Sequence, residues 1–190
     1  MSERQLSRLR LLLTVLATLA ELANLMWEHF NGGVVSHHIL DRSDLPAISN
    51  WWSALLIPAL TWFLIGRIQR RLALDSSGNQ TASKLPMSVI AGFVSALFFG
   101  ILLSVSFTSG YETFSSYLFE SMVLFALVLP VYRAECVLGF VLGMTFTFGA
   151  VLPSAIGCAI AAVSAVIHIC VRPILVHLWA WFRRPRSPTA

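Results

Sequence analysis

Three polar side chains stand at helical spacing near the end of the first apolar stretch. Glu21, Asn24 and Glu28 are three and four residues apart, which places them on one face of a helix. Glu21 lies about 16 Å along that helix from Arg10, because each residue adds about 1.5 Å. An ionisable group at such a depth in a membrane is costly and marks a candidate functional site. We interpret Glu21 as an acid–base group, or alternatively as a protonated glutamate that hydrogen-bonds between helices.

The following segment, residues 28–50, is rich in side chains that bind metals. Its imidazole and carboxylate groups are the usual ligands of zinc and related divalent cations, and the candidates are Glu28, His29, His37, His38 and Asp41. Neither His-Glu-x-x-His nor His-x-x-x-His spacing occurs. Three interpretations stay open: a divalent-metal site, metal-free histidine acid–base chemistry, and a solvated loop with incidental histidines.

Further ionisable residues fall in later apolar stretches. Glu120 lies near the start of the fourth stretch, at about the height of Asn24 and Glu28, so it is a second candidate acid or base. His168 and Arg172 continue a stripe of small residues, and we expect both to face the bundle interior. Arg172 could pair with Glu135 or extend to the membrane surface. His168 could relay protons, bind a ligand or simply bond a neighbouring helix.

Membrane-spanning helices must position these residues. The chain has 190 residues, of which 57% are hydrophobic and 12% charged, whereas soluble domains are roughly 25% charged. We predict an all-α polytopic integral membrane protein, a six-transmembrane-helix bundle forming a single domain over residues 1–182, followed by a disordered tail, 183–190. The predicted spans are 10–27, 51–68, 87–107, 117–132, 136–152 and 154–178. Only Pro153 separates the last two, which leaves a tight hairpin or a broken helix open.

The basic residues predict the orientation. With the N-terminus inside, Arg42 is the only one of the 13 Lys and Arg residues on the outer side. We therefore predict a cytoplasmic N-terminus, a cytoplasmic C-terminus and an extracytoplasmic loop 28–50. This distribution also argues against a nucleic-acid partner, since basic residues at helix ends set orientation and contact anionic lipid. The short loops suit a bacterial inner membrane.

Small residues repeat along the third and fifth predicted spans. Gly92 and Gly100 lie eight residues apart, and Gly139 and Gly143 lie four apart. Such spacing lets helix backbones approach closely in lipid. It predicts close packing inside the bundle, or alternatively a homo-oligomer formed through the same faces.

Three functions fit these residues. The first is a membrane-embedded enzyme that uses a divalent metal, with Glu21 or Glu120 as acid or base, on a lipid or amphipathic small molecule. The second is a small transporter or channel-like protein that moves a cation or small solute. The third is a membrane assembly factor without turnover. The concentration of reactive residue types in the outer loop and the adjoining half-spans favours the first.

Overall fold

The computed structural model describes residues 3–38, 47–76 and 85–182. In these ranges the chain is all-helical apart from one short antiparallel hairpin. The elements are α1 (Glu3–Phe30), β1 (Ser36–His38), β2 (Ala47–Ser49), a 3-10 turn (Asn50–Trp52), α2 (Ser53–Ser76), α3 (Met87–Thr108), α4 (Glu112–Val128), α5 (Ala134–Phe148), α6 (Val151–Ala165), a π-helical turn (Val166–Val171) and α7 (Arg172–Phe182). Asp41 and the tail 183–190 lie outside the described residues.

Four helices in the described part of the chain are long and apolar enough to cross a membrane. They cover Arg4–Phe30, Asn50–Leu74, Met87–Thr108 and Val151–His177. Helix α4 has 17 residues and α5 has 15. Helix α5 is thus about 22 Å long, against roughly 30 Å for the hydrocarbon core of a bilayer. The all-helical class is confirmed, and the number of six crossings stays a prediction.

Most large apolar residues of α1 are exposed, although Leu25 is buried, and two of its polar residues face the bundle. Leu12, Leu16 and Leu19 are exposed, whereas Thr14 and Glu21 are buried against the rest of the bundle. A helix on the surface of a soluble protein shows the reverse arrangement. This large exposed apolar surface suits the hydrocarbon interior of a bilayer, so it indicates a membrane-embedded protein.

Helices α1 and α2 pack antiparallel along much of their length. The Gln69 side chain donates to the Leu6 carbonyl oxygen at 2.7 Å, and Nε of Arg10 donates to the Trp62 carbonyl oxygen at 2.9 Å. This register brings the end of α1 beside the start of α2. The hairpin then closes the same end of the bundle, which we call the hairpin end.

Helix α5 forms the centre of the bundle and packs most extensively against α3. A side chain added at Gly139 would overlap the Phe93 carbonyl oxygen, and one at Gly100 would come within 2.7 Å of the Phe140 carbonyl oxygen. The two glycine-bearing faces therefore meet within one chain, as the close-packing interpretation requires. Association into oligomers stays a prediction.

The bounds of α4 and the turn between α5 and α6 differ from the predicted spans. Helix α5 ends at Phe148, because Gly149 adopts the left-handed φ of 65° that other residues avoid. Pro153 instead lies in the first turn of α6, where proline's missing N–H has no helical partner to lose. A tight hairpin thus joins α5 and α6. Helix α4 covers Glu112–Val128 rather than 117–132. It ends at Val128 because Leu129, the residue before Pro130, avoids helical backbone.

A π-helical turn separates α6 from α7. It covers Val166–Val171 and ends directly before Arg172 and Pro173. Proline cannot donate the hydrogen bond that continues an α-helix, so the wider turn lies where the bonding pattern has to change. His168 lies within this turn.

Candidate functional site

An amide cradle holds the Glu28 carboxylate at the hairpin end. The Asn50 side-chain nitrogen donates to both carboxylate oxygens, at 3.0 and 3.2 Å. The Val35 backbone N–H donates at 3.1 Å, and the Asn24 amide donates at 3.5 Å. Hydrogen bonds to a charged acceptor are stronger than neutral ones. The cradle therefore fastens the end of α1 to the hairpin and to the start of α2.

Asn50 also contacts the turn between α5 and α6. It is buried, and a side chain added at Gly149 would overlap its amide oxygen. Beside it, the buried hydroxyl of Ser53 accepts a hydrogen bond from the Ala150 backbone N–H at 2.7 Å. Four elements thus meet around Asn50 and Ser53, namely the end of α1, the hairpin, the start of α2 and the α5–α6 turn.

Glu21 lies deeper in the bundle, two helical turns before Glu28. Only 5% of its surface is exposed, and Ser53 interacts with its carboxyl group. Its Oε1 atom is buried and has no hydrogen-bond partner among the described residues. No basic side chain in the described part of the chain forms an ion pair with it. A carboxyl group in this position needs a proton or a bound cation for its negative charge.

Glu120 does not join this group. It is exposed on α4, and α4 packs against α3 and α6 rather than against α1. The sequence predicts that Glu120 and Glu28 lie at a similar depth in the membrane, but a similar depth does not bring the two side chains into contact. A role for Glu120 as acid or base stays a prediction.

The candidate metal ligands are dispersed in the described part of the chain. His29 is exposed, and its ring contacts that of Phe30 at a centroid distance of 5.5 Å. The β1 residues His37 and His38 pair with Ile48 and Ala47 of β2. Among the described residues no three His, Cys, Asp or Glu side chains gather closely enough to hold a metal ion. Asp41 is outside those residues, so the metal site stays a prediction.

A second buried carboxyl group lies at the opposite end of the bundle. Glu135 on α5 is 1% exposed, and its Oε1 accepts a hydrogen bond from Nη2 of Arg71 on α2 at 2.9 Å. Pairing of Glu135 with Arg172 is not observed, and Arg172 is exposed. Sequence reasoning missed Arg71 because basic residues near span ends were interpreted as orientation signals.

The sequence did carry a signal for Arg71. The buried positions of α2 recur at steps of three and four residues, through Thr61, Leu64 and Ile68. Arg71 is the next position in that series, so the helical period places it on the inner face.

His168 bonds within its own helix. Its Nδ1 lies 3.0 Å from the Ser164 carbonyl oxygen, which can only accept, so Nδ1 carries the hydrogen. Ser164 provides the link between helices, since its hydroxyl donates to the Leu129 carbonyl oxygen at 3.1 Å. The His168 ring also lies 6.1 Å from that of Tyr132. The contacts of His168 within the π turn are packing contacts, and its relay role stays a prediction.

Comparisons with protein-family models, with curated proteins and with solved structures find no match for this chain. The buried polar groups themselves are therefore the basis for a functional proposal.

Proposed function

We propose that the chain crosses a membrane six times, with both termini in the cytoplasm and the hairpin end outside. The positive-inside distribution of Lys and Arg supports this orientation. Three exposed tryptophans at the hairpin end, Trp27, Trp51 and Trp52, match the aromatic belt of a membrane boundary. The short α5 would cross within the protein interior, where neighbouring helices rather than lipid surround it.

We propose further that the protein is a small carrier for a cation, with the proton as the species to test first. The observation that carries this proposal is Glu21, which is buried inside the bundle and has one carboxyl oxygen without a hydrogen-bond partner among the described residues. Because the described residues supply no basic partner, a proton or a bound cation must compensate its charge.

Polar groups continue from Glu21 along the buried face of α2. Thr61 lies about 12 Å beyond Ser53, and Arg71 about 15 Å beyond Thr61, at about 1.5 Å per residue. The buried hydroxyl of Thr61 has no partner among the described residues. Apolar side chains separate these levels, including Ile57 and Ile65. This spacing favours a carrier that changes conformation over an open aqueous pore.

Pro58 supplies a place where α2 can bend. It lies inside the helix between Ser53 and Thr61 and removes one backbone hydrogen bond. A proline inside a helix is a common cause of a kink. The segment of α2 that faces Glu21 could therefore move relative to the rest of the helix.

Proton flux into liposomes tests the carrier proposal. The purified protein is reconstituted with a pH-sensitive dye trapped inside, and a potassium gradient with valinomycin drives the flux. We expect acidification above that of protein-free liposomes, and its loss in the Glu21→Gln variant. The matched control is Glu112→Gln, since Glu112 is exposed at the start of α4. Equal flux in the Glu21→Gln variant and the wild type would overturn the proposal.

A metal-dependent enzyme is the second candidate, and one observation favours it. The Asn50 backbone N–H donates to the Val35 carbonyl oxygen at 3.0 Å, and the Val35 N–H donates to Glu28. These bonds fasten the strand that carries His37 and His38 to the mouth of the bundle. A divalent metal held there would polarise a carbonyl group or activate water for a lipid or amphipathic substrate.

Metal analysis tests the second candidate. The purified protein is equilibrated with zinc, desalted and analysed by mass spectrometry for metal. The enzyme hypothesis predicts about one zinc per chain, and loss of that zinc when His29, His37 and His38 are all replaced by alanine. The control is His177→Ala, since His177 is exposed on α7. Absence of bound zinc in the wild type would count against a zinc enzyme.

A further inference from the structure

The ion pair between Arg71 and Glu135 is asymmetric. Glu135 is 1% exposed, and its Oε2 has no hydrogen-bond partner among the described residues. Arg71 is 34% exposed, so its guanidinium reaches from the solvent side into the bundle. One partner can therefore withdraw toward water, and the other cannot.

Helix α3 holds the Glu135 side chain in place. A Cβ atom added at Gly92 would lie 3.2 Å from Cγ of Glu135 and 3.3 Å from Sγ of Cys136. The α3 backbone thus passes directly over the carboxyl-bearing side chain. Only a residue without a side chain leaves this much room, and little space remains for Glu135 to turn outward.

Few charged groups surround the pair. Besides Arg71 on α2, the ionisable groups that act near this point are Arg133, which precedes α5, and the Cys136 thiol. Arg133 is partly buried and has no ion-pair partner among the described residues. Removal of Arg71 would therefore leave Glu135 buried without its hydrogen-bonded cation. An unpaired buried carboxylate is strongly unfavourable, so a proton must replace the guanidinium.

We infer that Glu135 is a second proton-accepting site and that Arg71 is its internal, displaceable counter-ion. When a proton binds Glu135, the guanidinium of Arg71 is released toward the surface, and when the proton leaves, the guanidinium returns. This inference deepens the proposed function, on which it rests for its role in transport, because it gives the carrier a second acid at the opposite end. Protonation of Glu135 can nevertheless be measured without any flux.

Infrared spectroscopy tests the inference, because a protonated carboxyl group has a carbonyl stretch distinct from that of a carboxylate. We expect the Arg71→Gln variant to show an additional protonated-carboxyl band near neutral pH. That band should vanish in the double variant with Glu135→Gln. The matched control is Arg70→Gln, an exposed arginine beside Arg71, which should leave the spectrum unchanged. A folded Arg71→Gln protein without the additional band would overturn the inference.

The wild type decides the question if the Arg71→Gln variant does not fold. Acidification should then shift the guanidinium stretching band of Arg71 in the wild type but not in Glu135→Gln, because the ion pair opens only where Glu135 is present. A guanidinium band that responds equally in both proteins would overturn the inference. Failure of this proposal is distinguishable from failure of the carrier proposal. The band assigned to Glu135 does not depend on Glu21, whereas the flux test depends on Glu21→Gln.

Discussion

The two ends of the bundle each bury a glutamate but compensate its charge differently. Within the part of the chain that the structure describes, Glu21 and Glu135 each have one carboxyl oxygen without a hydrogen-bond partner. Glu135 receives a guanidinium from Arg71, while Glu21 has Ser53 and the amide cradle of Glu28 as neighbours. An internal cation therefore faces the Glu135 carboxyl group, whereas the described residues supply no such cation for Glu21.

At the end of the bundle opposite the hairpin, removal of Arg71 should cause the largest loss in the free energy of unfolding. Replacing Arg71 with Gln leaves a buried carboxylate without its cation, and we expect a loss of about 3 kcal/mol in the free energy of unfolding. Adding Glu135→Gln should restore more than half of that loss, because the stranded charge is removed. Denaturant unfolding in detergent micelles measures both. Additive losses in the double variant would show that the pair is not coupled.

The hairpin end depends on amide donors, and Asn50→Asp tests this directly. The substitution replaces the donor that serves both Glu28 oxygens and places a like charge beside them. We expect a loss of about 2 kcal/mol in the free energy of unfolding. The comparison variant is Asn31→Asp, an exposed amide on the same loop, which should cost less than half as much. Similar losses in both would contradict the cradle.

Two glycines allow the packing at the two ends to be compared. Gly149→Ala forces a side chain into the left-handed region and against Asn50, so we expect a loss of about 1–2 kcal/mol in the free energy of unfolding. Gly92→Ala meets Glu135 and Cys136 at 3.2–3.3 Å in ordinary helical backbone, and should cost less than Gly149→Ala. Thermal unfolding of both variants in one detergent gives the ranking. A larger loss in Gly92→Ala than in Gly149→Ala would show that the packing around Glu135 is tighter than the packing around Asn50.

Glu21→Gln should have the smallest effect on stability. Glutamine has the shape of a protonated glutamate, and the substitution removes no ion pair among the described residues, so we expect a change below about 0.5 kcal/mol in the free energy of unfolding. Glu135→Gln should cost more, because it deprives Arg71 of its partner. Both are measured by denaturant unfolding. A large loss in Glu21→Gln would indicate that the carboxylate is ionised and bonded in the folded protein.

The hydrophobic pattern predicted the helical class and most of the elements, since long apolar runs can satisfy their backbone groups in lipid only as helices. The spacing of Glu21, Asn24 and Glu28 also predicted one polar face, and the structure buries Glu21 and joins Asn24 to Glu28. The partner Asn50 could not be predicted, because the contact bridges 22 residues across a loop without a helical period.

Height within the membrane alone was a poor guide to contacts. Glu120 matches the level of Glu28, yet α4 packs on another side of the bundle. The α5–α6 turn was misplaced because hydropathy does not distinguish Gly149 inside an apolar run. Arg71 was overlooked because the positive-inside rule interprets it as an orientation signal, whereas the helical period of α2 places it on the inner face.

The hydrogen bond between Ser53 and Ala150 joins residues 97 positions apart. During synthesis, α1 and α2 leave the ribosome well before the α5–α6 turn. Until that turn folds against α2, the Ser53 hydroxyl beside Glu21 lacks the hydrogen bond from the Ala150 backbone N–H. The surroundings of Glu21 are consequently completed late in biogenesis, so a chain that ends before Ala150 lacks the backbone N–H that bonds Ser53.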